Sequence, residues 1–206
     1  MRATCAKLKS LRTSNVNEPQ MSRFTITDLP LAGLKLVQRQ RLGDSRGFLS
    51  RLYCAQELGA VGWHNSIEQI NHTYTAQKGT VRGMHYQLPP NAEMKLVTCI
   101  QGEVWDVAID LRAGSPTFFH WHAETLSSDN HKALFIPEGF AHGFQTLSDN
   151  VTLLYCHNAA HKSDAESALN VRDPRLAITW PLAITVLSPR DAQHPLINSE
   201  FKGVFL

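Results

Sequence analysis

Gly79-Thr-Val-Arg-Gly-Met-His-Tyr-Gln87 is the stretch that decides how this chain is read, because it sets His85 two positions before Gln87 and three after Arg82 in a run of strand character. Residues two apart on a strand point the same way, so His85 and Gln87 share a face. A second stretch, Ile136-Pro-Glu-Gly-Phe-Ala-His-Gly-Phe144, brings in His142 behind a Pro-x-Gly turn. In an antiparallel barrel the shared face can be the lumen. Two histidines and an arginine at one barrel mouth imply chemistry on a polar, anionic small molecule.

The rest of the chain agrees with strands. From Gly102 onward turn signals recur about every dozen residues, at Gly114-Ser-Pro116, Ser127-Ser-Asp-Asn130, Pro137-Glu-Gly139 and Ser148-Asp-Asn150, the spacing of an all-β sandwich or barrel. Between them Val104-Trp-Asp-Val-Ala-Ile-Asp-Leu111 alternates with period two. Trp105, Val107, Ile109 and Leu111 take one face, and Asp106, Ala108 and Asp110 the other. Lys95–Ile100 and Val151–Tyr155 read as further strands. Helical signal is confined to a turn or two at Cys54–Leu58 and another at Asp173–Ala177, and the proline-punctuated tail reads as an extended wrap. One all-β domain over residues 23–206 is expected, preceded by a disordered N-terminal extension over residues 1–22.

Composition narrows the function classes. A chain of 206 residues with net charge +2 has room for one substantial core and carries no basic stripe for nucleic acid. No apolar run approaches the roughly 20 residues that span a bilayer, and residues 1–20 lack the apolar centre of a signal peptide. Cys5, Cys54, Cys99 and Cys156 form no CxxC pair; Cys99 and Cys156 fall in apolar runs, where a thiol serves as a small hydrophobe. A reduced, cytoplasmic setting without membrane or nucleic-acid partners is the expectation.

Two histidine-bearing strands, the second opened by Pro137-Glu-Gly-Phe-Ala-His142, resemble the cupin double-stranded β-helix, a jelly-roll barrel. Metal-binding cupins carry His-x-His in the first motif, where this chain has His85-Tyr-Gln87 and a late Glu93. A carboxamide is a poor ligand for borderline metals, so proton transfer is the favoured use of these histidines, and a metal site of His85, Glu93 and His142 is the alternative.

The resemblance then becomes specific. Gly79–Pro90, Glu93-Met-Lys-Leu-Val97, Asp106–Arg112, Ser115-Pro-Thr117 and Ile136–Leu147 are similar to the dTDP-4-dehydrorhamnose 3,5-epimerase family, as are Asp44-Ser-Arg-Gly47, Gln69-Ile-Asn71, Arg172-Asp-Pro174 and Ile178-Thr-Trp-Pro181. The similarity runs in order from about residue 24 to about residue 197. It implies a cofactor-independent, metal-free homodimeric isomerase of nucleotide-sugar metabolism, supplying deoxysugars such as dTDP-rhamnose for polysaccharides. Its substrate would be a dTDP-linked 4-keto-6-deoxyhexose, epimerised at C3 and/or C5. By that resemblance His85 is the base, Asp173 its carboxylate partner, Lys95 the cation near the enolate oxygen, and Tyr155 the phenol returning a proton from the opposite face. Arg82, Arg46, Gln69, Asn71, His142 and Gln87 are the expected substrate-binding residues, with Arg46 reaching the neighbouring subunit's site. Read alone, Tyr155 is an ordinary core tyrosine and Asp173, before Pro174, merely starts a turn.

The chain also departs from the family. Many members follow the tyrosine with Thr and a Tyr-Tyr pair, where this chain reads Tyr155-Cys-His-Asn-Ala-Ala-His161, and Val171 replaces a usual tryptophan. The missing tyrosines make plausible a binding module that holds the sugar nucleotide without turning it over; the other rival is a metal-dependent, dioxygenase-like cupin.

Overall fold

The computed structural model describes residues 22–60 and 62–206. The extension expected for residues 1–22 lies outside these, except for Ser22. The strands in chain order are β1 (Phe24–Asp28), β2 (Lys35–Arg39), β3 (Arg41–Asp44), β4 (Gly47–Ser50), β5 (Gln69–Thr75), β6 (Thr80–Gln87) and β7 (Lys95–Gln101). They continue as β8 (Glu103–Asp110), β9 (Trp121–Ser127), β10 (Lys132–Ile136), β11 (Phe140–Thr146), β12 (Val151–His157), β13 (Glu166–Ala168) and β14 (Val186–Leu187). Two short helices complete the fold, α1 (Ala55–Gly59) between β4 and β5, and α2 (Pro189–Ala192) after β14.

The first sheet runs β1-β2-β10-β7-β12-β5 and the second β13-β6-β11-β8-β9, with β14 added in parallel to β6 and β3–β4 forming a separate hairpin. All other pairings are antiparallel. This is the all-β barrel that the turn spacing pointed to, in the jelly-roll form that the cupin resemblance implied. Apolar residues of both sheets meet in one core: Val97, Leu134 and Leu153 from the first, Ala108, Leu126 and Phe144 from the second.

Each sheet is covered on its outer face as well. Leu58 of α1 and Trp63 pack with Val37, Leu96 and Phe135 over the first sheet. The C-terminal tail lays Leu169, Val171, Leu176 and Trp180 over Val81, Val107 and Ile109 of the second. Double coverage explains why both faces of β8 are buried, so that even Asp106 and Asp110 are inaccessible. The period-two reading of β8 therefore placed the faces correctly, and solvent lies on neither. Asp110 is satisfied by Arg112, Ser115 and Thr117, and Asp106 serves the site below.

Two local expectations are adjusted. The helical turn near Cys54 forms as α1, but Asp173–Ala177 makes turns rather than a helix. The tail is not a plain wrap, since it carries β14 and α2. His131 is buried edge-on against Phe48 and sits 3.3 Å from Arg41. Cys54, Cys99 and Cys156 are unpaired, and burial pushes the Cys99 thiol up to about 11, in keeping with a small hydrophobe.

The contact that aligns the two histidine-bearing strands is between two backbones. β6 and β11 pair with His142 opposite His85 and Phe144 opposite Arg82, so three steps on β6 match two on β11. The extra residue is a β-bulge, and it lets Arg82 and His85, an odd number apart, face the same cavity. Gly83 sits in this bulge at φ +132°, and a Cβ there would lie 2.5 Å from the Gly143 Cα. Neither strand can yield without moving the histidines. We expect Gly83→Ala to cost about 2–4 kcal/mol in urea unfolding, from strain and overpacking together. Gly114→Ala, at φ +77° in open space, is expected to cost about 1–2 kcal/mol. Equal costs would contradict the role of this contact.

Candidate active site

Between the two sheets a cavity of about 440 Å³ opens to solvent, lined by His85, Lys95, His142, Tyr155 and Asp191 among others. That volume suits a small organic ligand. His85 and His142 come from β6 and β11 of the second sheet, Lys95 and Tyr155 from β7 and β12 of the first. The side chains thus project from facing walls, because each strand turns alternate residues inward.

The partner of His85 is Asp191. Its Oδ1 lies 2.8 Å from His85 Nε2, with the carboxylate almost wholly buried and the imidazole one-third exposed to the cavity. Asp191 belongs to α2, whose start is set by Ser188: the hydroxyl accepts from the Asp191 amide, and Pro189 occupies the first turn. Burial alone would raise the Asp191 carboxyl; the hydrogen bond and charge of His85, with the Ser188 hydroxyl, hold it below its ordinary value. The aspartate therefore stays ionised and fixes the imidazole with its proton on Nε2, leaving the Nδ1 lone pair free.

Asp173, the partner expected from the resemblance, does not meet His85. It is buried outside the cavity lining, where Oδ1 accepts from the Arg175 amide at 2.8 Å and Oδ2 from the Ile197 amide at 2.5 Å. Both oxygens are spent on backbone, so Asp173 is a staple for the tail. The plain turn reading was the right one for this residue.

Lys95 is buried with its charge compensated. Its Nζ lies 3.1 Å from Glu93 and donates to the His85 carbonyl at 3.3 Å. Glu93 also accepts from His157 Nδ1 at 2.7 Å. Burial pushes the Glu93 carboxyl up, but Lys95 and His157 outweigh it and hold the group down at about 2. Tyr155 stands edge-on to His142 at 5.8 Å and parallel to His157 at 6.2 Å. Burial, then the Asp106 charge, push its phenol well above the ordinary value, so it keeps its proton. His142 Nε2 faces both Asp106 oxygens, at 3.0 and 2.9 Å, so Asp106 orients that ring.

The expected binding residues divide. Arg82, Gln69 and Asn71 line the cavity. Gln69 Nε2 donates to Asn71 Oδ1 at 3.0 Å, and Gln69 Oε1 accepts from the His161 amide. Gln87 also lines it but is committed to loops: its amide donates to the Asn91 carbonyl and its oxygen accepts from the Lys162 amide. Arg46 lies outside the lining, on the exposed β3–β4 turn, ion-paired with Asp44 at 2.5 Å. His161 stands at the rim, half exposed and 3.3 Å from Glu166.

Asp191, His157 and the coupling of Glu93 to Lys95 were missed from sequence. The run Ser188-Pro-Arg-Asp191 is a legible helix start, but nothing local says that its aspartate meets a strand 106 residues away.

A part-exposed imidazole held by an ionised carboxylate, with a protonated phenol on the facing sheet of the same cavity, is equipment suited to acid–base chemistry on a jelly-roll barrel. The comparisons make this particular. The family model described as dTDP-4-dehydrorhamnose 3,5-epimerase matches residues 28–199, and the chain belongs to that family of isomerases. A dTDP-4-dehydrorhamnose 3,5-epimerase of Shigella flexneri is 43% identical over 150 residues, 72% of this chain and 82% of the relative. The Legionella pneumophila dTDP-6-deoxy-D-glucose-3,5-epimerase, solved with dTDP-4-keto-L-rhamnose, is 36% identical with a TM-score of 0.82, over 89% of this chain and 99% of that one. A 3'-monoepimerase of Streptomyces bikiniensis, solved with dTDP-quinovose, is 29% identical with a TM-score of 0.76, over 82% and 85% of the two chains.

The Glu93 cluster yields a stability test. In the unfolded chain Glu93 takes its proton near 4.5, and in the folded protein near 2. Its stabilising contribution is therefore complete above about pH 4.5 and fades as pH falls towards 2. Urea titrations should show Glu93→Gln less stable than the parent at pH 6, with the gap closing between pH 4.5 and 2. A gap independent of pH would show that the carboxylate is not held by its charged neighbours.

Proposed function

We propose that this enzyme inverts C3, C5 or both in a dTDP-linked 4-keto-6-deoxyhexose, by removing a proton beside the ketone and returning one from the opposite face. The observation that carries this is the His85–Asp191 pair on one wall of the cavity, with Tyr155 and Lys95 on the facing wall. Carbon acids of this kind ionise only when the base is placed and the enolate is stabilised. His85 is the base, and Asp191 steadies the imidazolium that forms. Lys95 meets the enolate oxygen as a point charge. Tyr155, kept protonated by burial, delivers hydrogen from across the ring, since delivery from the side of removal would regenerate the substrate.

Arg82, Gln69 and Asn71 are assigned to the nucleotide and its phosphates, Arg for its forked donors. The enzyme works as a cytoplasmic homodimer in which Arg46 leaves Asp44 and reaches the neighbouring subunit's cavity. The similarity to both a 3,5-epimerase and a 3'-monoepimerase makes the number of centres inverted a question for product analysis.

The test is deuterium incorporation from heavy water, read by NMR at C3 and C5 of a dTDP-4-keto-6-deoxyhexose. Exchange at one or both carbons is expected, lowered about 10²–10⁴-fold by His85→Ala or by Asp191→Asn. Asp173→Asn is expected to leave the exchange rate of folded protein near the parent's while costing about 1–3 kcal/mol of stability. Exchange lost with Asp173→Asn but kept with Asp191→Asn would overturn the assignment.

For Arg46, Arg46→Ala should raise KM about tenfold with kcat nearly unchanged, the pattern of lost uniform binding. Unaltered kinetics in a variant that sediments as a dimer would remove Arg46 from the site.

A further inference from the structure

Asp191 is shared between two imidazoles. Behind His85, the His194 Nε2 lies 3.8 Å from the same Asp191 Oδ1 that His85 approaches to 2.8 Å. Among the described residues the other histidine–carboxylate pairs, at Asp106, Glu93, Glu124, Glu138 and Glu166, each hold one imidazole. His194 Nε2 is buried and has no hydrogen-bond partner, an arrangement that costs about 1–3 kcal/mol if nothing answers it. The two rings stand nearly perpendicular, at 79°, with centroids 6.3 Å apart.

We propose that His85, Asp191 and His194 form a site for a borderline divalent cation, Zn²⁺ first, and that the bound ion switches the enzyme off. The ligand atoms of the three residues all lie within 4.8 Å of one another. Zinc bonds of about 2.0–2.2 Å in a tetrahedral site put ligand atoms about 3.3 Å apart. The observed 2.8 and 3.8 Å bracket that spacing, so side-chain adjustments of under about 1 Å suffice. Asp191 and His194 are three residues apart around one turn, a local chelate whose third ligand comes from β6. Two imidazoles and one carboxylate leave the fourth position of a tetrahedral ion to water. The set of two imidazoles and a carboxylate suits zinc. His85, Glu93 and His142, the metal set that the sequence offered, do not converge in this way: Glu93 is taken by Lys95 and His157, and His142 by Asp106.

Inhibition follows from the tautomer. The dyad keeps a proton on His85 Nε2, so that Nδ1 carries the lone pair that abstracts hydrogen. A cation on Nε2 takes that nitrogen's lone pair and leaves the ring proton on Nδ1, with no net change in protons. The nitrogen that served as base then carries hydrogen. The ion also occupies the Asp191 oxygen that steadies the imidazolium. The site itself stands apart from the epimerase reading, whereas its inhibitory role rests on it.

The test uses the untagged full chain, with ZnCl₂ titrated by calorimetry and Co²⁺ as a spectroscopic probe. One equivalent is expected to bind, to give four-coordinate Co²⁺ bands that Zn²⁺ bleaches, and to raise the melting temperature. His194→Ala and His194→Gln, both checked for an unchanged metal-free melt, are expected to weaken binding about tenfold or more and abolish the metal-induced rise. His161→Ala should leave metal affinity as it is. Equal affinity in the parent and both His194 variants, or no stoichiometric binding below about 1 mM, would overturn the site. Zinc is further expected to halt deuterium exchange, with EDTA restoring it. Binding that leaves exchange running would keep the site and overturn its inhibitory role.

Discussion

The hydrogen bond between His85 Nε2 and Asp191 Oδ1 joins the middle of the second sheet to the last helical turn of the chain. Asp191 reaches the cavity because the tail crosses the outer face of that sheet and returns at its edge through β14. The crossing is pinned on both sides of α2. Gln145 exchanges hydrogen bonds with Leu182, and Asn170 donates to the His194 carbonyl at 2.7 Å. Asp173 holds the Ile197 amide. Asp173 therefore matters to the site through the path of the tail. Covering an apolar face and delivering a carboxylate are one structural act here.

Burial organises the remaining charges. Inside the barrel the local dielectric is low, so an unpaired ion would be costly and a paired one is held firmly. Three carboxylates answer three imidazoles around the cavity: Asp191 with His85, Asp106 with His142, and Glu93 with His157. Glu93 also neutralises Lys95, which keeps that cation in place beside the carbonyl of the residue carrying the base. Tyr155, desolvated between two of these imidazoles, remains a phenol. The same burial that stabilises the barrel thus sets which groups hold protons.

Much of this was legible in the sequence, for identifiable reasons. Strand periodicity assigned the faces of β8, and turn spacing gave the all-β barrel. His85 and His142 stood out in motifs on strands, whereas Lys95 and Tyr155 were named only through the family resemblance; all four line the one cavity. The aspartate was not recognisable, because its pairing is a contact between distant segments, and Asp173 in Asp-Pro and Asp191 in Ser-Pro-Arg-Asp are both plausible turn residues. Strict alternation cannot place Arg82 beside His85; only the bulge at Gly83 does so. Arg46 belonged to a motif, but within one chain it lies away from the cavity. Gln87 shared the inward face as expected and was then consumed by loop amides.

The central claim, that Asp191 holds the proton of His85 on Nε2 and thereby frees Nδ1, is tested most directly by nitrogen-15 NMR of the histidine rings. Long-range correlations should show His85 as the Nε2–H tautomer, with a strongly deshielded ring proton that disappears in Asp191→Asn and persists in Asp173→Asn. A His85 ring protonated on Nδ1 instead, or one indifferent to the loss of Asp191, would contradict the account.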